Sequence, residues 1–192
     1  MKVLTLLASP RPKGISASIA QRFTDTAAAL GADIDTISLD RLTFRGCRGC
    51  YACKGKSQRC ILLDELTPVL AAVEAADILV LATPVYFGDV TAPMKAFLDR
   101  CYAFLAPTYM SGGPRGRFSG KKLVFISTQG HPDPEFFGDI FPRVSGFLEW
   151  MGFDEARLVR TCGVGPGRSE AAPEEVLAAA ELAARELLQT QA

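Results

Sequence analysis

Four cysteines fall within fourteen residues: Cys47-Arg-Gly-Cys50-Tyr-Ala-Cys53-Lys-Gly-Lys-Ser-Gln-Arg-Cys60. A C-x2-C-x2-C-x6-C run lets successive thiolates curl round a single metal centre, and few other structural demands place cysteines so densely. Thiolate-only ligation suits an iron–sulfur centre and zinc alike, and uncoordinated, redox-active thiols are the third reading. Arg48, Lys54, Lys56 and Arg59 surround the run with positive charge that would stabilise thiolates, or simply keep a loop soluble. The other two cysteines, Cys101 and Cys162, lie inside apolar stretches and read as buried small residues.

Three further segments could bind a ligand. Ser9-Pro-Arg-Pro-Lys-Gly-Ile-Ser16 offers hydroxyls at Ser9, Ser16 and Ser18, the Arg11 guanidinium, and backbone N–H groups of a helix start around Ala17. Helix dipole and unpaired donors there favour a phosphate. The segment is neither a Walker loop nor G-x-G-x-x-G, so a dinucleotide pyrophosphate fits poorly. The bland alternative is a turn with Ser16 as N-cap. Thr83-Pro-Val-Tyr-Phe-Gly-Asp-Val-Thr-Ala-Pro-Met-Lys95 sets Tyr86 and Phe87 beside Gly88, a stacking face where backbone can approach a planar ring. Packing of a loop or a subunit interface would explain the same aromatics. In Ser127-Thr-Gln-Gly-His-Pro-Asp133, Ser127, Gln129 and Gly130 could bond a ligand's polar edge. His131, the chain's single histidine, is expected to be a solvated loop residue, with a catalytic role as the alternative.

These segments need a scaffold, and the apolar pattern supplies one. Lys2–Ala8, Asp77–Ala82 and Lys121–Ser127 read as buried strands, Asp33–Leu39 as a strand near a sheet edge, and Arg157–Cys162 as the last of the set. Ser16–Leu30, Asp64–Ala75, Ala92–Phe104 and Pro173–Gln189 read as helices; Pro134–Met151, broken by Gly138 and Pro142, reads as one kinked helix or two pieces. Strand-then-helix alternation predicts an α/β, three-layer, doubly wound five-stranded parallel sheet of flavodoxin-like form. Such a sheet binds ligands beyond the carboxyl ends of its strands. The whole chain, 1–192, reads as a single domain with a cysteine-rich insertion at 44–62.

Composition narrows the function classes. With 48% apolar and 22% charged residues and a formal net charge of zero, the chain has no basic field for nucleic acid. No stretch reaches the ~18 apolar residues of a membrane span, and the apolar start, Met1–Ala8, is too short for a signal peptide. A cytoplasmic location is the expectation, where clustered cysteines point to metal or redox chemistry.

Ser9-Pro-Arg11, the x2-spaced cysteines, Pro84-Val85-Tyr86-Phe87-Gly88 and Lys95-Ala-Phe-Leu-Asp-Arg100 follow one another as in the NADPH-dependent FMN reductase superfamily. More narrowly, the chain resembles the iron–sulfur flavoproteins within it, over roughly residues 1–130. That resemblance implies a flavodoxin-like fold, bound FMN, a 4Fe–4S cluster on Cys47, Cys50, Cys53 and Cys60, and assembly as a homodimer or homotetramer. It would put Ser9, Arg11 and Ser16 on the FMN phosphate, Pro84–Gly88 along the isoalloxazine, and Ser127–Gly130 near its far edge. Ile15 departs from a frequent family asparagine and Ala8 from a usual glycine. Cys60 is followed by Ile61 rather than the proline of bacterial ferredoxin runs. The function implied is an FMN-dependent oxidoreductase, taking electrons from NAD(P)H or a reduced carrier protein and passing them to a small-molecule acceptor. A flavodoxin-type shuttle and a thiol-based redox sensor are the rival readings.

Overall fold

The computed structural model describes residues 1–55 and 57–189. The sheet is built outward from strand β1 (Lys2–Leu7), whose Leu4 and Leu6 face one helical layer and whose Val3 faces the other. Burial on both faces is why the strand reads as continuous apolar sequence rather than an alternation. On one side β1 pairs in parallel with the edge strand β2 (Asp33–Ser38). On its other side stand β3 (Ile78–Tyr86), β5 (Lys121–Thr128) and β6 (Phe153–Thr161), giving the order β2-β1-β3-β5-β6. A two-residue strand, β4 (Asp89–Val90), folds back antiparallel on the end of β3. The five parallel strands have the flavodoxin-like order, with the switch point between β1 and β3.

Helices α1 (Ile15–Ala29) and α5 (Glu174–Gln189) cover one face of the sheet; α2 (Leu66–Ala75), α3 (Ala92–Arg100) and α4 (Ile140–Glu149) cover the other. The α1 side packs Ile19 and Phe23 against Val80, Val124 and Ile126; the α3 side packs Met94 and Phe97 around Leu81 and Phe125. Pro93 and Pro142 sit in the first turns of their helices, where a missing N–H costs nothing.

Element edges differ from the pattern at several points, and β3 runs on past the expected Ala82 to Tyr86. The first helix starts at Ile15 with Gly14 as N-cap, so Ser16 lies inside its first turn. The expected Ala92–Phe104 helix tightens into a 3-10 turn over Cys101–Phe104. Pro134–Met151 forms two pieces, a 3-10 turn over Pro134–Phe137 and then α4. β6 begins at Phe153 rather than Arg157: as an edge strand it exposes Asp154, so its start carries no apolar run. No helix among the described residues is long and apolar enough to cross a membrane.

Between β2 and α2 the backbone is irregular apart from short 3-10 turns, and Arg100, at the end of α3, ties that excursion down at both ends. Its Nη1 donates to the carbonyl of Arg45 at 2.9 Å and to Asp64 Oδ2 at 2.8 Å; its Nη2 donates to the carbonyl of Leu62 at 3.2 Å and to Asp64 Oδ1 at 3.3 Å. The Arg100 side chain is fully buried and that of Asp64 is 18% exposed. Burial pushes the Asp64 carboxyl up, but the Arg100 guanidinium and the N–H groups of Arg45 and Leu66 outweigh it and hold the carboxyl below its ordinary range. That contribution to stability is present above the ordinary carboxylate pKa of ~3.9 and is lost as pH falls through the depressed value. Asp64→Ala should cost about 3 kcal/mol at neutral pH, because a buried guanidinium loses its counter-charge. In urea unfolding, the gap between Asp64→Ala and wild type should close as pH falls below the ordinary carboxylate range.

Candidate functional site

The cysteine excursion lies against the start of the segment that follows α3. Cys47, Cys50, Cys53 and Cys60 all line one cavity of about 590 Å³, whose other wall includes Arg100, Tyr102 and Tyr109. Cys47 and Cys50 are exposed; Cys53 and Cys60 are half-buried. The Cys53 thiol is raised above its ordinary pKa, first by burial and then by Cys60 and Cys47, against the lowering influence of Lys54. The thiols thus share a cavity without closing on a common point: among the described residues no three His, Cys, Asp or Glu side chains are grouped to hold a metal ion.

Three cations pin this excursion from outside the run or within it. Arg100 holds its ends. Lys54 Nζ donates to the carbonyls of Tyr102 at 2.7 Å and Leu105 at 2.5 Å, and lies 4.5 Å from the centre of the Tyr102 ring. Arg117 Nη1 donates to the carbonyl of Gln58 at 2.6 Å. The charges of the run are therefore divided. Lys54 is committed to carbonyls and an aromatic face, Arg59 pairs with Glu74 at 3.2 Å, Arg48 lines the cavity, and Lys56 lies outside the described residues. Tyr51, in the left-handed region at φ 57°, stands edge-on to Tyr102 with ring centres 6.0 Å apart. A non-glycine residue there costs roughly 1–3 kcal/mol, which surrounding contacts must offset.

A second site forms at the carboxyl ends of β1, β3 and β5. Ser9, Arg11, Ser16, Pro84 and Tyr86 line a recess of about 50 Å³ together with Thr128 and Gly165. The recess is on the scale of one small group, since a water occupies ~30 Å³ in the liquid. Gly14 caps α1 without a side chain, and the first turn holds no acidic residue, so the leading N–H groups stay available to an anion. A Cβ on Gly14 would come within 3.1 Å of the Arg11 carbonyl, a reason for glycine in so tight a turn. The Ser9 hydroxyl accepts from Arg11 N at 3.1 Å, leaving its proton free to donate. Ala17 and Arg11 also line a neighbouring recess of about 220 Å³ with Ser38 and Arg41. Ser18 is turned away: its hydroxyl is exposed and donates to the Ile15 carbonyl at 2.9 Å.

Pro84–Gly88 forms a tight hairpin rather than an open loop. Val85 pairs with Val90 and Tyr86 with Asp89, leaving Phe87 and Gly88 as turn residues, both in the left-handed region at φ 47° and 86°. Two positive φ angles suit the twist of a two-residue hairpin, and glycine is the natural second residue. Phe87 is fully exposed at the tip, and Tyr86 is half-exposed beside the recess. Val85 instead packs against the core.

The third segment is mostly spent on its own architecture. Ser127 is buried within β5, and Gln129 is buried with Nε2 donating to the carbonyls of His131 at 3.0 Å and Asp133 at 2.9 Å. The Gln129 Oε1 has no hydrogen-bond partner among the described residues. Gly130 is exposed at the loop, with the Val164 carbonyl opposite. His131 is half-buried rather than solvated, stacked on Phe136 with ring centres 4.1 Å apart. Its Nδ1 accepts from Asp133 N at 3.2 Å, which puts the ring proton on Nε2.

Cys101 is buried as expected, its thiol raised by desolvation. Cys162 is not: it is half-buried at the end of β6 beside Arg160 and Asp133, where the strand leaves the sheet. Thr128, Val164 and Gly165 join the phosphate-scale recess although nothing in their own sequence marks them. The one available signal was their position, at or a few residues beyond the carboxyl ends of the last two strands.

The family model for NADPH-dependent FMN reductases matches residues 1–134, and the chain belongs to that family. An iron–sulfur flavoprotein of Methanocaldococcus jannaschii is 34% identical over 100 residues, which is 52% of this chain and 51% of the relative. An FMN-dependent NADH:quinone oxidoreductase of Escherichia coli is 30% identical over 113 residues, 58% of this chain and 55% of the relative. The chain thus spans about half the length of the curated relatives it matches. Among solved structures, an NAD(P)H:quinone oxidoreductase from Methanothermobacter marburgensis superimposes with a TM-score of 0.71 at 20% identity, covering 99% of this chain and 95% of that one. The last likeness is one of fold.

Lys54→Met should loosen the cysteine excursion by removing two carbonyl contacts and the charge over Tyr102. Hydrogen exchange followed by mass spectrometry should show faster amide exchange across residues 50–55, with β3 unchanged. Equal protection in both proteins would mean the lysine does not hold the segment.

Proposed function

We propose that this chain is an FMN-dependent oxidoreductase that takes electrons from NAD(P)H and passes them to a quinone-type small molecule, with a 4Fe–4S cluster on Cys47, Cys50, Cys53 and Cys60. The observation that carries the flavin half is the uncapped start of α1, which meets Ser9, Arg11 and Thr128 in one recess. Those groups suit a phosphate monoester in size and charge. Four thiols on one cavity, with a buried cation in its wall, suit a thiolate-ligated cluster by donor type.

When bound, FMN supplies hydride and single-electron chemistry; the chain's residues bind, orient and shield it. The N–H groups opening α1, the Ser9 hydroxyl and the Arg11 guanidinium would neutralise the phosphate. Tyr86 and the hairpin of Phe87–Gly88 offer aromatic surface beside the recess, where a planar ring system can stack. Gln129, tied to the carbonyls of His131 and Asp133, fixes the neighbouring loop. His131, on that loop, accepts from Asp133 N at Nδ1 and so carries its ring proton at Nε2. Cys47, Cys50, Cys53 and Cys60 would hold the cluster, which exchanges electrons one at a time. A second subunit seated on the same edge, in a homodimer or homotetramer, would enclose the acceptor. The relatives' printed names supply the NAD(P)H and quinone parts of this reading.

Arg11→Ala should weaken FMN binding about tenfold or more, since a charge-assisted hydrogen bond contributes roughly 1.5–3 kcal/mol. Titration of the apoprotein by flavin fluorescence measures it, and an unchanged dissociation constant would remove Arg11 from the phosphate site. Cys53→Ser should lose iron while keeping stoichiometric FMN; retained iron would mean that Cys53 is not a ligand. Anaerobic steady-state assays with NADH or NADPH and a soluble quinone test the activity itself. Turnover that depends on FMN supports the proposal, whereas flavin-loaded protein reduced by neither nucleotide would favour an electron shuttle.

A further inference from the structure

Among the described residues, the side chains lining the cavity at the cysteine excursion include one buried polar atom with no partner. Arg100 is 1% exposed, and both terminal nitrogens are satisfied by Arg45, Leu62 and Asp64. Its Nε has no hydrogen-bond partner. A buried donor left unpaired costs about 1–3 kcal/mol, and more on a charged group, so such an atom marks strain or an absent acceptor. The guanidinium lines the same cavity as all four cysteines of the run. Cys60 stands two residues before Leu62, whose carbonyl Arg100 Nη2 holds, and it lines the same cavity as the guanidinium; among the described residues no bond to Nε is closed.

The fork of an arginine explains why one residue can serve two tasks. Its terminal nitrogens hold the ends of the excursion, while Nε, a third donor on a residue that lines the cavity, is left unspent among the described residues. A lysine, with one point charge, could not do both. Metal-bound thiolates are strong acceptors, and N–H donors to cluster sulfurs raise the reduction potential by stabilising the extra negative charge of the reduced state.

We propose that Nε of Arg100 donates to the sulfur of Cys60 once that sulfur is a metal-bound thiolate, so that Arg100 positions the fourth ligand and raises the potential of the centre. This rests on the cluster reading above. The role is one of positioning: Arg100 acts through the ligand and touches no substrate.

The test uses the anaerobically purified protein, reduced, with its arginines labelled with nitrogen-15. Pulsed electron paramagnetic resonance should detect coupling between the reduced cluster and one arginine nitrogen. That signal should vanish in Arg100→Lys and persist in Arg48→Lys, which removes the other arginine lining the cavity. Redox titration should show Arg100→Lys shifting the cluster's reduction equilibrium about tenfold toward the oxidised state, ~59 mV for one electron. Asp64→Asn keeps Nε but weakens the same clamp, and should shift it by much less. Equal shifts in the two variants would reduce Arg100 to a structural clamp and overturn the proposal. Iron-bearing wild type without arginine coupling would overturn it too, even if Arg100→Lys failed to fold. Wild type without iron would instead remove the cluster reading, and this inference with it.

Discussion

The cysteine excursion between β2 and α2 has almost no regular hydrogen bonding of its own, so its shape must be imposed by groups outside it. Arg100 does most of this. Its guanidinium reaches carbonyls at positions 45 and 62, one on each flank of the cysteine run, and is balanced by Asp64. Burying a charge in this way is expensive unless its donors are matched; the fork meets four contacts with its two terminal nitrogens and, among the described residues, leaves Nε unmatched. The consequence reaches further than the loop. Because α3 follows the β3–β4 hairpin and ends at Arg100, the clamp fixes the cysteine cavity relative to the strand ends where the phosphate-scale recess lies.

The other half of the site depends on topology. A parallel sheet presents the carboxyl ends of all its strands on one edge, and the order reverses between β1 and β3. Segments far apart in sequence, around residues 9–16, 84–88, 128 and 164–165, meet there because the strands that carry them are neighbours. The left-handed pair Phe87–Gly88 turns the chain within two residues, so aromatic surface stands out beside the recess instead of folding into the core.

Much of this was legible in the residues. Leu4, Leu6, Val80 and Phe125 sit in runs that only a doubly covered strand explains, so the sheet and its helices could be read from periodicity. The start of the first helix was legible to within one residue, since Gly14 and Pro12 punctuate the loop. What stayed hidden depended on tertiary partners. Gln129 looks like a ligand donor in sequence, but its amide nitrogen is spent on the carbonyls of His131 and Asp133. His131 reads as solvated until Phe136 stacks on it. Cys162 reads as buried because its strand is apolar, yet it falls just past the strand's end. Arg100 falls inside the expected Ala92–Phe104 helix, and nothing local announces that its side chain is buried. Long charged side chains give up their burial only through contacts distant in sequence, here 36 to 55 residues away.

The central claim is that one chain carries both a flavin and a cysteine-ligated cluster. Anaerobic purification followed by measurement of FMN, iron and acid-labile sulfide per chain addresses it directly. The account predicts brown protein with one FMN and about four iron and four sulfide per chain, as a 4Fe–4S cluster requires. Yellow protein with FMN but neither iron nor sulfide would contradict it, leaving the four cysteines as thiols around an unfilled cavity.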